Sequence, residues 1–293
     1  MMTVNSVAAL RPCIQEWRKN GLSIAFVPTM GNLHPGHLKL VDSARLQADR
    51  VVVSIFVNPT QFGPNEDFSS YPRTERQDGD LLRASDTDVL FLPAVDDIYP
   101  QPQLTHISVS GLSTLYCGAS RPGHFDGVAL IVCKLLNMVQ PDWIFLGEKD
   151  FQQQLLIRQM VRDLNIPVQV QTVATIRESD GLAMSSRNGY LSVEERAAAP
   201  LIYQSLCRVR DAMLAGKIDF QSLIDQQSQI LQTAGFLIDY FHLCRQHDLM
   251  PASNDDQDLV VLLAAKLGKT RLIDNICFVI PSALQISALS PGQ

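Results

Sequence analysis

The sequence predicts an α/β fold built on a parallel sheet covered on both faces, followed by a smaller α+β domain. Short, β-branched apolar runs bounded by turn residues recur through the first half, the pattern of strands buried on both faces. Stretches of helical period separate them, which fits crossover connections between parallel strands. Beyond about Ile176 the order changes to two long helical stretches followed by further strands. The reading is therefore a doubly wound, Rossmann-like domain over residues 1–176 and a smaller α+β domain over 177–293.

The elements follow in order. SIAFVPT (Ser23 to Thr29) and RVVVSIFVNP (Arg50 to Pro59) are strands bounded by turn residues, with GHLKLVDSARLQAD as the helix between them. RTERQDGDLLRAS is a helix before the strand VLFLP (Val89 to Pro93), and GVALIVCKLLNMV a helix before DWIFLGE (Asp142 to Glu148), where Trp143 is expected in the core. FQQQLLIRQMVRDLN is the next helix and VQVQTVATI (Val168 to Ile176) the next strand. In the second domain VEERAAAPLIYQSLCRVRDAMLAG reads as one helix and FQSLIDQQSQILQTAG as another, capped at Gly235. IDYFHLCR and DLVVLLAAKLG resemble strands joined by the polar stretch PASNDDQ.

Composition narrows the functions. With 24 basic and 30 acidic side chains and a net charge of -6, the chain lacks the basic excess of a phosphate-tracking surface, so no nucleic-acid partner is expected. No apolar run approaches the roughly 18–20 residues that cross a bilayer, and the N-terminus does not read as a signal peptide. Six dispersed cysteines, none in a C-x-x-C pair, fit reduced thiols and a cytoplasmic setting.

The stretch FVPTMGNLHPGHLKLV concentrates the chemistry. A buried strand ends at Thr29, a turn follows at Gly31, and a helix begins near Pro35, where proline's missing N–H has no partner to lose. Parallel sheets bind ligands at the carboxyl ends of their strands, and a helix N-terminus there offers free N–H groups to phosphate. His34 and His37 lie three residues apart, close enough for both imidazoles to face one anion, with Gly36 removing a side chain where a ligand approaches. A zinc site would need a third ligand, and none follows at a suitable spacing. The alternative is a pair of structural histidines at a helix start.

Three further segments change that balance. DGLAMSSRNGYL sets the hydroxyls of Ser185 and Ser186 beside the Arg187 guanidinium on a glycine-flanked loop, donors suited to phosphate oxygens, although a bare S-S-R is more often a polar surface turn. FLGEKDFQQ places Lys149 and Asp150 where a strand meets a helix. SIFVNPTQF places the amides of Asn58 and Gln61 just beyond the second strand, able to hydrogen-bond hydroxyls and carboxylates without adding charge. H-x-G-H and M-S-S-R together resemble the HIGH-like and KMSKS-like signatures of the class I aminoacyl-tRNA synthetase and nucleotidyltransferase superfamily. The lysine of the second signature is absent, with Arg187 as the nearest cation.

PTMGNLHPGH, IFVNPTQF, YPRT, GASRPGHFDGV, QPDWIFLGEKDFQQ, GLAMSSRNGYL and GKTRLIDN resemble, in order and spacing, the motifs of the pantoate–β-alanine ligase family. The resemblance implies ATP-dependent condensation of pantoate with β-alanine through a pantoyl adenylate, releasing pyrophosphate and AMP, with Mg2+ accompanying ATP and a homodimeric assembly. It implies an ATP site of Met30, Gly31, Asn32, Leu33, His34, Pro35, Gly36 and His37, with Gly147, Glu148, Lys149, Asp150, Ile176, Met184, Ser185, Ser186 and Arg187. His37 is the implied proton donor, and His34, Lys149 and Arg187 complete the catalytic set. Gln61 and Gln153 are implied pantoate ligands with Thr29, Met30 and Asn58 as neighbours; Gln61 also lies where β-alanine enters.

Asp78 falls where some members place a magnesium-associated aspartate, although Gln77 and Leu81 do not reproduce that cluster. Pro35 stands where the family is often acidic. Arg121 and His124 of SRPGHF can order a loop as easily as touch substrate, and His106, His242 and His247 are assigned to structure or surface. The competing functions are an adenylyltransferase that leaves the adenylyl group on its product and a non-catalytic nucleotide sensor.

Overall fold

The central strands of the first half are apolar on both faces because the sheet they build is covered on both. In the computed structural model, which describes residues 1–281 apart from Asn65, Lys217 and Ile218, the chain divides into two compact units, Met1–Ile176 and Arg177–Gln293. The first unit runs β1 (Met2–Val4), α1 (Val7–Lys19), β2 (Ile24–Thr29), α2 (Pro35–Gln47), β3 (Arg50–Ile55), α3 (Glu75–Ala84), β4 (Val89–Phe91), α4 (Val95–Ile98) and α5 (Cys117–Ser120). It continues with α6 (His124–Val139), β5 (Trp143–Gly147), α7 (Phe151–Asp163) and β6 (Gln169–Val173). Its strands form one parallel sheet in the order β1-β4-β3-β2-β5-β6.

β2 lies inside that sheet, with Phe26 in register with Val52 of β3 and Ile144 of β5, and Ile24 to Val27 are fully buried. From β2 the chain moves to β3 on one side, and β5 later takes the other side. The sheet therefore reverses direction between β2 and β5, and a crevice outside their carboxyl ends is where open α/β sheets take ligands.

Two elements escape the sequence reading at the N-terminus. β1 is three residues long and mostly exposed, too short to show a period, and α1 contains Pro12 within its first two turns, a residue that reads locally as a helix breaker. Trp143 is only partly buried, its indole N–H donating to Gln169 Oε1 near the sheet margin.

The second unit, taken by itself, holds α8 (Val193–Ala198), α9 (Leu201–Leu214), α10 (Phe220–Thr233) and an antiparallel sheet of β7 (Phe236–Arg245), β8 (Asp258–Leu267) and β9 (Thr270–Val279). The expected single helix is broken in two at Pro200, which lacks an N–H and crowds the carbonyl one turn back. α10 ends as expected before Gly235, which takes φ +90. β9, read in the sequence only as part of a motif, pairs along its whole length with β8 through a two-residue turn. β8 is buried from Leu259 to Ala265, and α9 and α10 pack across this sheet through Ile202, Leu206, Val209, Leu223 and Leu231.

A buried ion pair joins the start of this unit to β9. Arg177 donates from Nη1 to Asp274 Oδ2 at 2.6 Å and from Nη2 to Oδ1 at 3.0 Å. It also reaches the carbonyls of Gly181 and Asn275, and its guanidinium lies 3.6 Å from the Tyr203 ring centroid.

Candidate active site

The sheet order brings three of the sequence motifs to one edge. Thr29 to His37 leave β2, Asn58 to Gln61 leave the adjacent β3, and Gly147 to Asp150 leave β5 on the other side. All three are carboxyl ends of neighbouring parallel strands.

His34 and His37 have a structural task as well as a chemical one. His34 is the N-cap of α2, its Nδ1 accepting from the Gly36 N–H at 3.2 Å, while His37 Nδ1 accepts from the His34 N–H at 3.4 Å. This is a reciprocal capping box made by two imidazoles. With both Nδ1 atoms accepting from backbone, the proton of each neutral ring resides on Nε2. The ring centroids are 4.1 Å apart. Gly36 matters here for a reason other than ligand approach: a Cβ at this position would lie 2.9 Å from His34 Cε1, displacing the ring.

Both imidazoles are held neutral. Burial, then the nearby Lys149 charge, lowers His34 to about 4, with Asp150 partly opposing. Burial, then His34 and Lys149, lowers His37 to about 3. Lys149 thus acts on both rings from the end of β5, where it also lies 3.8 Å from Asp150 Oδ2. The rings are hydrogen-bond donors through Nε2–H at neutral pH and become cations only in strong acid.

Because these groups bind protons less readily when folded, the unfolded chain takes up more protons between about pH 3 and 6.5, and stability falls as pH drops through that window. The urea midpoint is expected to be lower at about pH 5 than at about pH 7.5, and the drop to shrink in His34→Gln/His37→Gln. An equal drop in that variant would refute the coupling.

Gln61 sits at the end of a short 3-10 turn, Pro59–Gln61, and is buried. Its Oε1 accepts from Asn58 Nδ2 at 3.0 Å, and its Nε2 points at Met30 Sδ at 3.2 Å. A thioether is a weak acceptor, so this amide N–H can exchange it for a ligand oxygen. Met30 and Gln61 are thereby brought together.

Asn58 is buried and serves the turn. Its Oδ1 accepts from the Thr60 N–H, the Thr60 hydroxyl and the Tyr99 hydroxyl, and its Nδ2 also reaches the Gly127 carbonyl. Thr29 is likewise committed, its hydroxyl donating to the Ser54 carbonyl and accepting from the Gly31 N–H. Gln153 lies half-buried in the first turn of α7, between two glutamines spent on scaffold. Gln152 donates to the carbonyls of Leu112 and Leu115 and accepts from the Cys117 N–H, while Gln154 Oε1 accepts from Arg158 and Thr172.

Asp78 holds the turn ahead of His34. It is 1% exposed; Oδ1 accepts from the Leu33 N–H at 2.8 Å, and Oδ2 from the Asn32 N–H at 2.9 Å and the Thr74 hydroxyl at 3.1 Å. The carboxylate clamps the turn ahead of His34 through both its oxygens. Among the described residues no group of three or more His, Cys, Asp or Glu is placed to hold a metal ion.

Pro35 opens α2 as its first residue, and Ile176 closes the first unit with its Cβ 3.9 Å from where a Gly36 Cβ would stand. In the second unit, Met184 to Arg187 form a tight turn: Ser185 Oγ accepts from the Arg187 N–H, the Ser185 carbonyl from the Asn188 N–H, and Asn188 Nδ2 donates to the Ala183 carbonyl. His242 stacks beside Tyr240 on β7 and His106 is exposed, in keeping with structural or surface positions.

Residues given no role in the sequence reading of the site are Tyr99, Thr60, Glu66 and Gln152. Thr60 and Gln152 lie inside quoted motifs but bond to the scaffold, while Tyr99 and Glu66 lie outside every motif, with partners Asn58 and Arg121 distant in sequence. Arg121 and His124, left open between ordering a loop and touching substrate, order it: Arg121 pairs with Glu66 at 2.5 Å, and His124 Nδ1 lies 2.8 Å from the Gln61 carbonyl.

A doubly wound parallel sheet with a neutral imidazole pair, a lysine and a buried amide at the carboxyl ends of adjacent strands is the arrangement of a nucleotide-handling α/β enzyme. The sequence profile described as pantoate-beta-alanine ligase matches residues 2–277. The pantothenate synthetase of Methylococcus capsulatus is 53% identical over 279 residues, covering 94% of this chain and 97% of its own, and that of Colwellia psychrerythraea is 51% identical over 283 residues, covering 94% and 98%.

Among solved structures, the pantothenate synthetase of Thermus thermophilus superposes with a TM-score of 0.90 at 43% identity, over 96% of this chain and 100% of the other. The pantoate-beta-alanine ligase of Francisella tularensis, complexed with beta-gamma ATP and beta-alanine, gives 0.81 at 36% identity, over 94% and 97%. The chain belongs to the pantoate–β-alanine ligase family.

Proposed function

We infer that the chain condenses pantoate with β-alanine at the expense of ATP, through pantoyl adenylate, releasing pyrophosphate and AMP. The observation that carries this reading is the gathering of His34, His37, Lys149, Met30 and Gln61 at the carboxyl ends of β2, β3 and β5 in a chain of this family. AMP release should depend on both pantoate and β-alanine. AMP formed without β-alanine dependence, or none at all, would reject the ligase reading in favour of an adenylyltransferase or a nucleotide sensor.

The first step joins a pantoate carboxylate oxygen to the α-phosphorus as the bond to pyrophosphate breaks; in the second the β-alanine amine attacks the acyl carbon and AMP leaves. The nucleophile in each step belongs to a substrate, so the protein contributes position and charge. His34 and His37 offer neutral Nε2–H donors to the phosphates, and the Lys149 ammonium adds positive charge beside them. His37 accordingly donates hydrogen bonds through Nε2–H as a neutral ring. Arg187 with Ser185 and Ser186 is assigned to the phosphates from its motif, as are Gly31 to Leu33, Pro35, Gly36, Gly147, Glu148, Asp150, Ile176 and Met184 to ATP.

Gln61 and Gln153 take the pantoate hydroxyls and carboxylate, with Gln61 also at the β-alanine entry, while Asn58 and Thr29 shape that site through the backbone. Mg2+ enters with ATP, whose phosphates suit it better than a protein cage; Asp78, committed to Asn32, Leu33 and Thr74, is not assigned to it. No described helix is long and apolar enough to cross a membrane. The six free cysteines support a cytoplasmic setting, and the family resemblance a homodimer.

Gln61→Ala is expected to raise the KM for pantoate about tenfold and that for ATP far less, since it removes one ligand hydrogen bond. Steady-state kinetics with each substrate varied would show it. The reverse pattern would mean that the acid site has been misplaced.

A further inference from the structure

The first turn of α6 is fastened onto the Pro59–Gln61 turn at three points. Asn58 Nδ2 donates to the Gly127 carbonyl. Gly127 leaves no room for a side chain: a Cβ there would stand 2.3 Å from the Thr60 carbonyl oxygen and 2.8 Å from the Gln61 nitrogen. His124, one turn earlier in α6, sets its Nδ1 2.8 Å from the Gln61 carbonyl oxygen.

The imidazole is itself held. Arg121 Nη1 lies 3.0 Å from His124 Nε2, Nη2 reaches the Gln61 carbonyl at 3.4 Å, and Nε and Nη2 engage Glu66 Oε1 at 2.6 Å and Oε2 at 2.5 Å. A carbonyl only accepts and a guanidinium only donates, so one neutral tautomer satisfies both contacts: N–H at Nδ1 toward Gln61 and a lone pair at Nε2 toward Arg121. The planar guanidinium then links Glu66, His124 and Gln61 in a single fixed fork. The backbone group so gripped belongs to the residue whose side-chain amide faces Met30 Sδ.

We propose that Glu66, Arg121 and His124 are positioning residues for the acid substrate: through the Gln61 carbonyl they fix where the Gln61 amide presents itself to pantoate. This rests on the assignment of Gln61 to the pantoate site made above. Nothing in the chain assembles this relay locally, since its members span residues 61 to 124. A misplacement of an orienting amide weakens substrate binding even where the fold survives.

The test uses the full-length enzyme, with pantoate and ATP varied separately and thermal unfolding recorded for every variant. His124→Ala and Arg121→Ala are expected to raise the KM for pantoate about tenfold and that for ATP by less than about twofold. His124→Asn, whose amide nitrogen stands where Nδ1 does, should restore the pantoate KM to within about threefold of the parent, whereas His124→Gln should resemble His124→Ala. In a Gln61→Ala background, His124→Ala should add almost nothing, because its effect passes through Gln61.

Additive effects in that background, or a folded His124→Asn no better than His124→Ala, would overturn the positioning role. So would an unchanged pantoate KM in His124→Ala beside an impaired Gln61→Ala. An unchanged pantoate KM in Gln61→Ala itself would overturn the acid-site assignment and the relay's purpose together.

Discussion

Replacing His37 by alanine is expected to slow adenylate formation by about 10²- to 10³-fold, the scale of losing one preorganised donor to a developing phosphate charge. The side chain is buried, its Nδ1 accepts from the His34 N–H, and its pKa is lowered to about 3 first by burial and then by His34 and Lys149. The ring is therefore a fixed, neutral Nε2–H donor, and its removal leaves a gap that water fills without the same orientation. The variant also loses half of the capping box of α2, a cost of about 1 kcal/mol that leaves the sheet intact. Single-turnover release of pyrophosphate from ATP and pantoate measures the step directly. A near-normal rate would remove His37 from the chemistry, and a loss confined to KM would assign it to ground-state binding.

Replacing Asp274 by alanine is expected to destabilise the second unit by about 3–5 kcal/mol, the cost of leaving one member of a buried ion pair without its counter-charge. The Asp274 side chain is 2% exposed and that of Arg177 18%, so little solvent is available to compensate. The contact is bidentate, at 2.6 and 3.0 Å, and the same guanidinium binds the Gly181 carbonyl and covers Tyr203. The lost partner therefore also loosens the segment that precedes Met184. Asp274→Asn, which keeps one acceptor, should lose less. Urea denaturation followed by circular dichroism gives the comparison; a loss below about 1 kcal/mol would show that the pair is solvated in solution.

Much of the architecture was legible because the signals are local. The runs at Ser23, Arg50, Val89 and Asp142 are apolar on both faces, and the parallel sheet buries them so; the turn at Gly31 and the helix start at Pro35 follow from turn and capping chemistry. β1 and α1 were missed because three residues carry no period and Pro12 reads locally as a helix breaker although the helix continues through it. The single helix expected across Pro200 ignored the missing N–H. β9 was not read as a strand because its first half was taken only as a segment of family resemblance, GKTRLIDN.

For the site, the residue types at 34, 37 and 149 suited phosphate but left a structural alternative open, and the family resemblance supplied the acid-binding role of Gln61. The sequence alone determined the fold class and the family, since period, turn chemistry and motif order are written in neighbouring positions, and it named the residues proposed for ATP and pantoate. Only the tertiary structure decided that Asp78 clamps Asn32 and Leu33, that Asn58 and Thr29 serve the backbone, and that Glu66, Arg121 and His124 grip the Gln61 carbonyl. Those roles depend on hydrogen bonds between residues tens of positions apart, whose geometry exists only once the sheet and its helices have closed around them.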